Sequence, residues 1–343
     1  MRIILNTTIA LAALISPVLA DFPDSSDVGL IISGIELTLN EEYSQARELY
    51  SELQTKYPRH PGPPFFIAAT YQAEMKDHED FEYEQEFVNN IELSIDLADK
   101  LRNEDEDDAW AYYFMGASNL YWALFEGRKD GKWSVAHKGI RGKNLMEKCL
   151  GIDSTMYDAL AGLGSYRYWG DVKGGIFAKL PFVGGDRRQG IEDLRIAAEK
   201  SIFSGDLAQS ALIYVYIEEG KYDLADSLAV GMRKKYPHSK SFLWARAFAN
   251  LEAERYESAL EFFDSLKAII EQENQSSKYN LVQISYNKML CHYNMERYAD
   301  ALIEIDYCEN MLLAHDVRDR LDDIFDKLND HKKKIRKILS SDG

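Results

Sequence analysis

Cysteine is scarce in this chain of 343 residues: Cys149, Cys291 and Cys308 are the whole supply. An odd, sparse count rules out a disulfide framework. Cys291 and Cys308 fall on the two helices of one expected hairpin, so either a bridge or a pair of buried free thiols fits there. Prolines number eight and strand signals are nearly missing. With 46% hydrophobic residues, that excludes both large-scale disorder and a β-rich fold. Bases are outnumbered, 40 against 57 acids, for a net charge of −17. Such a chain repels phosphate backbones, which speaks against nucleic-acid binding. Beyond the first twenty residues no stretch is long and apolar enough to cross a bilayer.

The motifs of common chemistries are missing too. There is no phosphate loop, and Gly162-x-Gly164 lacks the third glycine of a dinucleotide fingerprint. The seven histidines share no metal-ligand spacing. Asn103 to Asp108 resembles half of a calcium loop without its central glycine or terminal glutamate, and reads as a solvated turn. No Gly-x-Ser-x-Gly elbow occurs, and no carboxylate pair stands out among the many acids. The chain therefore reads as a non-enzyme with no metal and no cofactor.

What is present begins with residues 1–20. Met1-Arg2 is a positive start, Ile3 to Ile15 is mostly apolar, Ser16-Pro17 breaks the helix, and Val18-Leu19-Ala20 suits cleavage. This pattern is that of a signal peptide. The expectation is an exported chain, periplasmic or secreted, with Arg2 lost and the charge at −18.

A phrase then recurs: Glu42-Tyr43-Ser44-Gln45-Ala46, Lys221-Tyr222-Asp223-Leu224-Ala225, Arg255-Tyr256-Glu257-Ser258-Ala259 and Arg297-Tyr298-Ala299-Asp300-Ala301. Ala225 and Ala259 lie 34 positions apart, and Ala259 and Ala301 lie 42 apart, one repeat plus a polar insertion. Tyr50 and Phe263 each follow an alanine by four, and Pro58 and Pro237 each follow one by twelve. Tyr112-x2-Met115-Gly116 and Leu160-x2-Leu163-Gly164 supply the first-helix side, with Gly34 in the equivalent place. Small residues let two antiparallel helices approach, the large residue fills the groove beside the contact, and proline stops the second helix. One hairpin cannot bury its apolar face alone, so hairpins stack.

These residues resemble the tetratricopeptide repeat superfamily over 28–312. The resemblance implies an all-α fold, an α-solenoid of about seven helical hairpins in a right-handed superhelix. The hairpins fall at 28–58, 63–103, 109–153, 157–201, 206–238, 241–271 and 279–312. Residues 21–27 are left as a short linker, and 313–343 as a capping helix and tail, with an amphipathic stretch at 316–339. A second likeness lies in Ala178-Lys179-Leu180-Pro181-Phe182-Val183-Gly184-Gly185-Asp186-Arg187-Arg188-Gln189-Gly190. It is similar to a linker of the eukaryotic tetratricopeptide family that includes the yeast inclusion-body clearance protein, and implies a non-catalytic role.

The middle departs from a plain repeat. Gly127 to Gly139 and Gly170 to Asp186 read as long breaks inside hairpins, the second one apolar, either a functional loop or core filling. Trp110, Trp122, Trp133 and Trp169 lie here. Residues 74–108 carry fifteen acids against three bases, 128–148 seven bases against two acids, and 163–190 five against two. A basic, aromatic centre in an acidic chain suits an acidic partner.

Two functions follow. The first is a scaffold for a protein or peptide in the cell envelope, gripped on the concave face by first-helix residues such as Tyr112, Asn119, Arg167 and Tyr216. The second is a module for a small anionic ligand or glycan, using Trp122, Trp133, Tyr168 and Trp169 with nearby bases. Phe177, Phe182, Arg187 and Arg188 complete the candidate binding residues.

Overall fold

The computed structural model describes residues 25–129, 131–173, 185–273 and 277–341. These are helical, with no strand among them. Seven antiparallel hairpins follow one another: α1 Ser25–Leu39 with α2 Tyr43–Lys56, α3 Gly62–His78 with α4 Glu84–Glu104, α5 Ala109–Gly127 with α6 Lys132–Ile152, α7 Asp158–Lys173 with α8 Arg187–Lys200, α9 Gly205–Glu218 with α10 Tyr222–Lys235, α11 Lys240–Glu252 with α12 Tyr256–Gln272, and α13 Lys278–Asn294 with α14 Tyr298–Glu309. A short α15, His315–Arg320, and a long α16, Asp322–Ser341, close the C-terminal end. The all-α solenoid read from the repeats is thus the fold. Three boundaries differ. α1 begins inside the stretch assigned to a linker. The capping stretch is two helices, broken before the buried Leu321. The expected break from Gly127 to Gly139 shrinks to a tip of four residues, because α6 starts at Lys132.

The repeat signature explains the packing. Ala46, Ala225, Ala259 and Ala301 are fully buried, with Tyr50 and Phe263 beside them. In the degenerate middle, glycines take over the close approach. A Cβ on Gly142 would lie 2.7 Å from Leu120 and 3.0 Å from the Gly116 carbonyl. One on Gly190 would lie 2.7 Å from the Gly164 carbonyl. Glycine's low helix propensity is outweighed there by contacts that no larger residue permits.

The second helices bury one stripe each, such as Phe87, Ile91, Ser94 and Ala98 on α4, or Ala259, Phe263, Leu266 and Ile270 on α12. Among the first helices, α3 and α5 are buried nearly all round. On α3 Phe65, Phe66, Ile67 and Ala68 are consecutive core residues, and on α5 so are Tyr113, Phe114, Met115, Gly116, Ala117, Ser118 and Asn119. A helix apolar on every side is one surrounded by other elements. Around these two helices the interior of the array is accordingly filled. Phe203, between α8 and α9, reaches Phe66 at 6.1 Å and Trp110 at 5.8 Å. Buried Asp158 fixes that connection by accepting from the amides of Ile202 (3.0 Å), Phe203 (2.7 Å) and Ser204 (2.8 Å). Cys149, Cys291 and Cys308 are free, buried thiols, so the bridge left open by the sequence is not made.

Candidate functional site: a closing seam and an exposed tip

The candidate residues scatter over different environments. Asn119 is 3% exposed and turns its amide back onto the Met115 carbonyl (2.7 Å), and Tyr216 is 6% exposed. The sequence placed both on an open concave face. They are buried because the first helices pack into one another and leave no groove at those positions. Arg167 and Arg187 are matched by acids of the chain itself: Arg167 by Asp193 at 2.7 Å and Glu147 at 3.3 Å, Arg187 by Glu219. Trp169 meets the fully buried Tyr168 edge-on at 4.9 Å. Tyr112 is half-buried near the Lys148 ammonium (5.7 Å). Phe177 and Phe182 lie outside the described residues.

One group remains at the surface. Around the α5–α6 tip, Trp133 is 85% and Leu124 65% exposed. Trp122 donates to Glu126 (3.2 Å) under the ammonium of Lys138, 3.8 Å from the ring centre. Exposed His137 and Arg141 follow Trp133 along one face of α6. Arg188, on α8, is exposed as well.

A second constellation escaped the sequence. The inner turns of hairpins 1 and 2 dock on the C-terminal hairpins across about 200 residues of chain. Lys240, only 5% exposed, points its ammonium at Glu41 (2.6 Å), Asp77 (2.9 Å) and Glu273 (2.6 Å). The Lys240 amide donates to the other Glu41 oxygen, and the His238 amide donates to Asn40 Oδ1 (3.0 Å). Farther along, Asn280 donates to the Asp77 carbonyl (2.7 Å) and Ser277 to that of His78 (2.6 Å). Arg320 holds Glu79 through its carbonyl (2.6 Å) and carboxylate (2.7 Å), and Arg128 reaches the same carboxylate at 3.3 Å. The Phe81 ring takes both guanidiniums, at 4.8 Å and 5.0 Å. The array is thereby closed on itself.

Burial, then the Asp77 charge, pushes the Glu41 carboxyl up to about 7, with Lys240 working against the rise. Burial raises Asp77 as well. Burial alone would lower the Lys240 ammonium, but Asp77 and Glu41 hold it above its ordinary value. One sequence signal for the seam existed: a lysine in the first turn of a helix opposes the macrodipole and calls for a carboxylate partner.

A model of the family described as Iml2/Tetratricopeptide repeat protein 39 matches residues 176–311. It spans hairpins 5, 6 and 7 and the segment around 178–190 whose likeness to that family the sequence already carried. With seven stacked hairpins and the repeat signature buried at their contacts, the assignment follows. The chain is a tetratricopeptide-type repeat protein, similar to that family over residues 176–311, under half of its length. Among solved structures, that of yeast Tom70 is similar at 11% identity and a TM-score of 0.42, covering 92% of this chain and 66% of its own. The chain thus spans just under two thirds of that relative's length. The P58(IPK) TPR domain is similar at 13% identity and a TM-score of 0.26, covering 90% of this chain and 99% of its own. No curated protein matches by sequence. As a tetratricopeptide array, the chain is a scaffold of the type that serves protein interaction. Among the described residues no helix is long and apolar enough to cross a membrane, and no cluster of His, Cys, Asp or Glu could hold a metal ion.

Proposed function

We propose that this tetratricopeptide array is an exported, non-catalytic scaffold that docks a protein partner in the cell envelope on the tip of its third hairpin. The observation that carries the reading is the contrast between a filled interior and a tryptophan left 85% exposed at that tip. Large exposed apolar side chains beside a cation mark interaction surfaces, and tryptophan and arginine dominate binding energy where they occur. The partner this surface fits is a protein segment with an apolar anchor flanked by acids. Residues 128–148 supply seven bases against two acids, and Arg141 is exposed about two turns further along α6. Export rests on the pattern of residues 1–20, which lie outside the described residues.

The test is crosslinking of the tagged, full-length chain in its native envelope, beside the double variant Trp133→Ala/Arg141→Glu. We expect a discrete partner with the wild type, at least tenfold depleted with a variant whose helical circular dichroism is unchanged. Intact mass of the purified wild type should start at Asp21. A partner retained by the folded variant would move the docking surface elsewhere, and a mass that includes Met1 would overturn export by cleavage.

The glycan reading gains less from the geometry. Of its four rings Tyr168 is fully buried and Trp169 is packed against it, so the four do not form one platform.

A further inference from the structure

The ammonium of Lys240 lies where three otherwise separate parts of the chain meet. Glu41 comes from the turn between α1 and α2, Asp77 from the end of α3, and Glu273 from the residue after α12. One cation facing three carboxylates in a nearly dry site leaves two negative charges unmatched when all three are ionised. The surroundings do little to neutralise them. Tyr43, on α2, is buried against Asp77 and can only donate its hydroxyl proton. Glu74, on α3, adds a further acid and is engaged by Arg47. Arg233, on α10, feels the Glu41 charge but spends its guanidinium on the carbonyls of Pro237 and Ser239. His78, on α3, reaches the same Asp77 oxygen as Lys240, but only at 3.8 Å, and is shared with Asp80 at 3.9 Å.

We propose that the seam is a proton-linked clasp: closing the array takes up one proton among the carboxylates around Lys240, and the seam loosens as that proton is lost in the neutral range. The geometry supplies both halves of the device. The contacts are concentrated at few points, so they can release together. They also join the two ends of the array, so their release would expose the inner ends of α1, α3, α11 and α13 without unfolding any hairpin.

The sign follows from the Glu41 carboxyl, raised to about 7 in the closed form from 4.5 when solvated. The closed form binds the proton more tightly. Its advantage is complete below about pH 4.5 and is lost as pH rises through about 7, at up to roughly tenfold in the closing equilibrium per pH unit. Asp77, also raised by burial, acts in the same direction.

Hydrogen exchange on the full chain tests this, because two backbone amides belong to the seam itself, His238 donating to Asn40 and Lys240 donating to Glu41. Exchange is followed from pH 5.5 to 8 and corrected for the intrinsic rate. A core peptide around Phe114 serves as reference for global opening. We expect protection of the segment 237–243, relative to the reference, to fall by up to about tenfold between pH 6 and 8. In Glu41→Gln, which fixes a neutral side chain at that position, the dependence should shrink sharply, leaving only the part that belongs to Asp77. A wild-type profile that is flat, or a slope unchanged in Glu41→Gln, would overturn the clasp. Should Glu41→Gln fail to fold, Glu273→Gln removes a different carboxylate. The same fall must then move to higher or lower pH, and an unmoved midpoint overturns the proposal equally.

Discussion

Between the two helices of hairpins 1, 2, 6 and 7 the chain turns through a glutamate with positive φ, 66° at Glu41, 54° at Glu79, 58° at Glu254 and 59° at Glu296, where hairpin 5 uses Gly220 at 68°. A side chain in that region costs roughly 1–2 kcal/mol, part of which glycine would give back through the entropy of the unfolded chain. At exposed Glu254 and Glu296 nothing in the seam depends on the carboxylate. Changing either to glycine is expected to raise stability by about 0.5–1 kcal/mol in urea titrations. The same change at Glu41 or Glu79 is expected to lower stability, by about 1 kcal/mol or more, because the acceptors that tie the Lys240 amide and ammonium, or the Arg320 guanidinium, across the seam are lost. A gain at all four sites would show that the seam contributes nothing. These glutamates sit where a glycine would be easiest, which is the residue-level mark of the seam. The sequence shows neither the positive φ nor which of the four carboxylates reaches the seam.

Among the elements, the connection from α8 to α9 rests on Asp158, whose carboxylate takes three backbone amides and seats Phe203 among Phe66 and Trp110. Asp158→Ala leaves those amides buried without acceptors. It should cost about 3 kcal/mol, read as a lowered urea midpoint with little loss of helical signal in the remaining native state. Asp158→Asn, which keeps an acceptor oxygen, should cost less. The hairpins themselves were legible because their cause is local: Ala46, Ala225, Ala259 and Ala301 recur with their tyrosines at helical spacing, and Pro58 and Pro237 end second helices. Gly127 to Gly139 misled for a physical reason. Gly127 closes α5 and Gly131 stands just before α6, while Gly139 lies inside α6, where a Cβ would come within 3.3 Å of Tyr166 on α7, and only the tertiary packing reveals that close approach. Asn119 and Tyr216 misled for a related one. Period alone tells which residues share a face, and it does not tell whether that face meets solvent or another repeat.

For the molecule as a whole, closure sets how the interior behaves. The thiols of Cys149, Cys291 and Cys308 are fully buried, and burial pushes each up to about 12. The native chain should therefore react with a thiol probe only as fast as it unfolds, and all three groups should react at once in denaturant. Prompt labelling of one thiol in the native state would locate an opening in the interior. The seam was beyond the reach of the sequence because its partners, such as Glu41 with Lys240 or Glu79 with Arg320, lie 199 and 241 positions apart with no shared motif. An open solenoid can gain or lose a repeat at little cost, since each unit touches only its neighbours. Here the first two hairpins must arrive opposite the sixth and seventh with their charges in register. Duplicating or deleting one hairpin would rotate the two ends past each other, so the repeat number is a counted quantity, fixed by the circumference the chain has to complete.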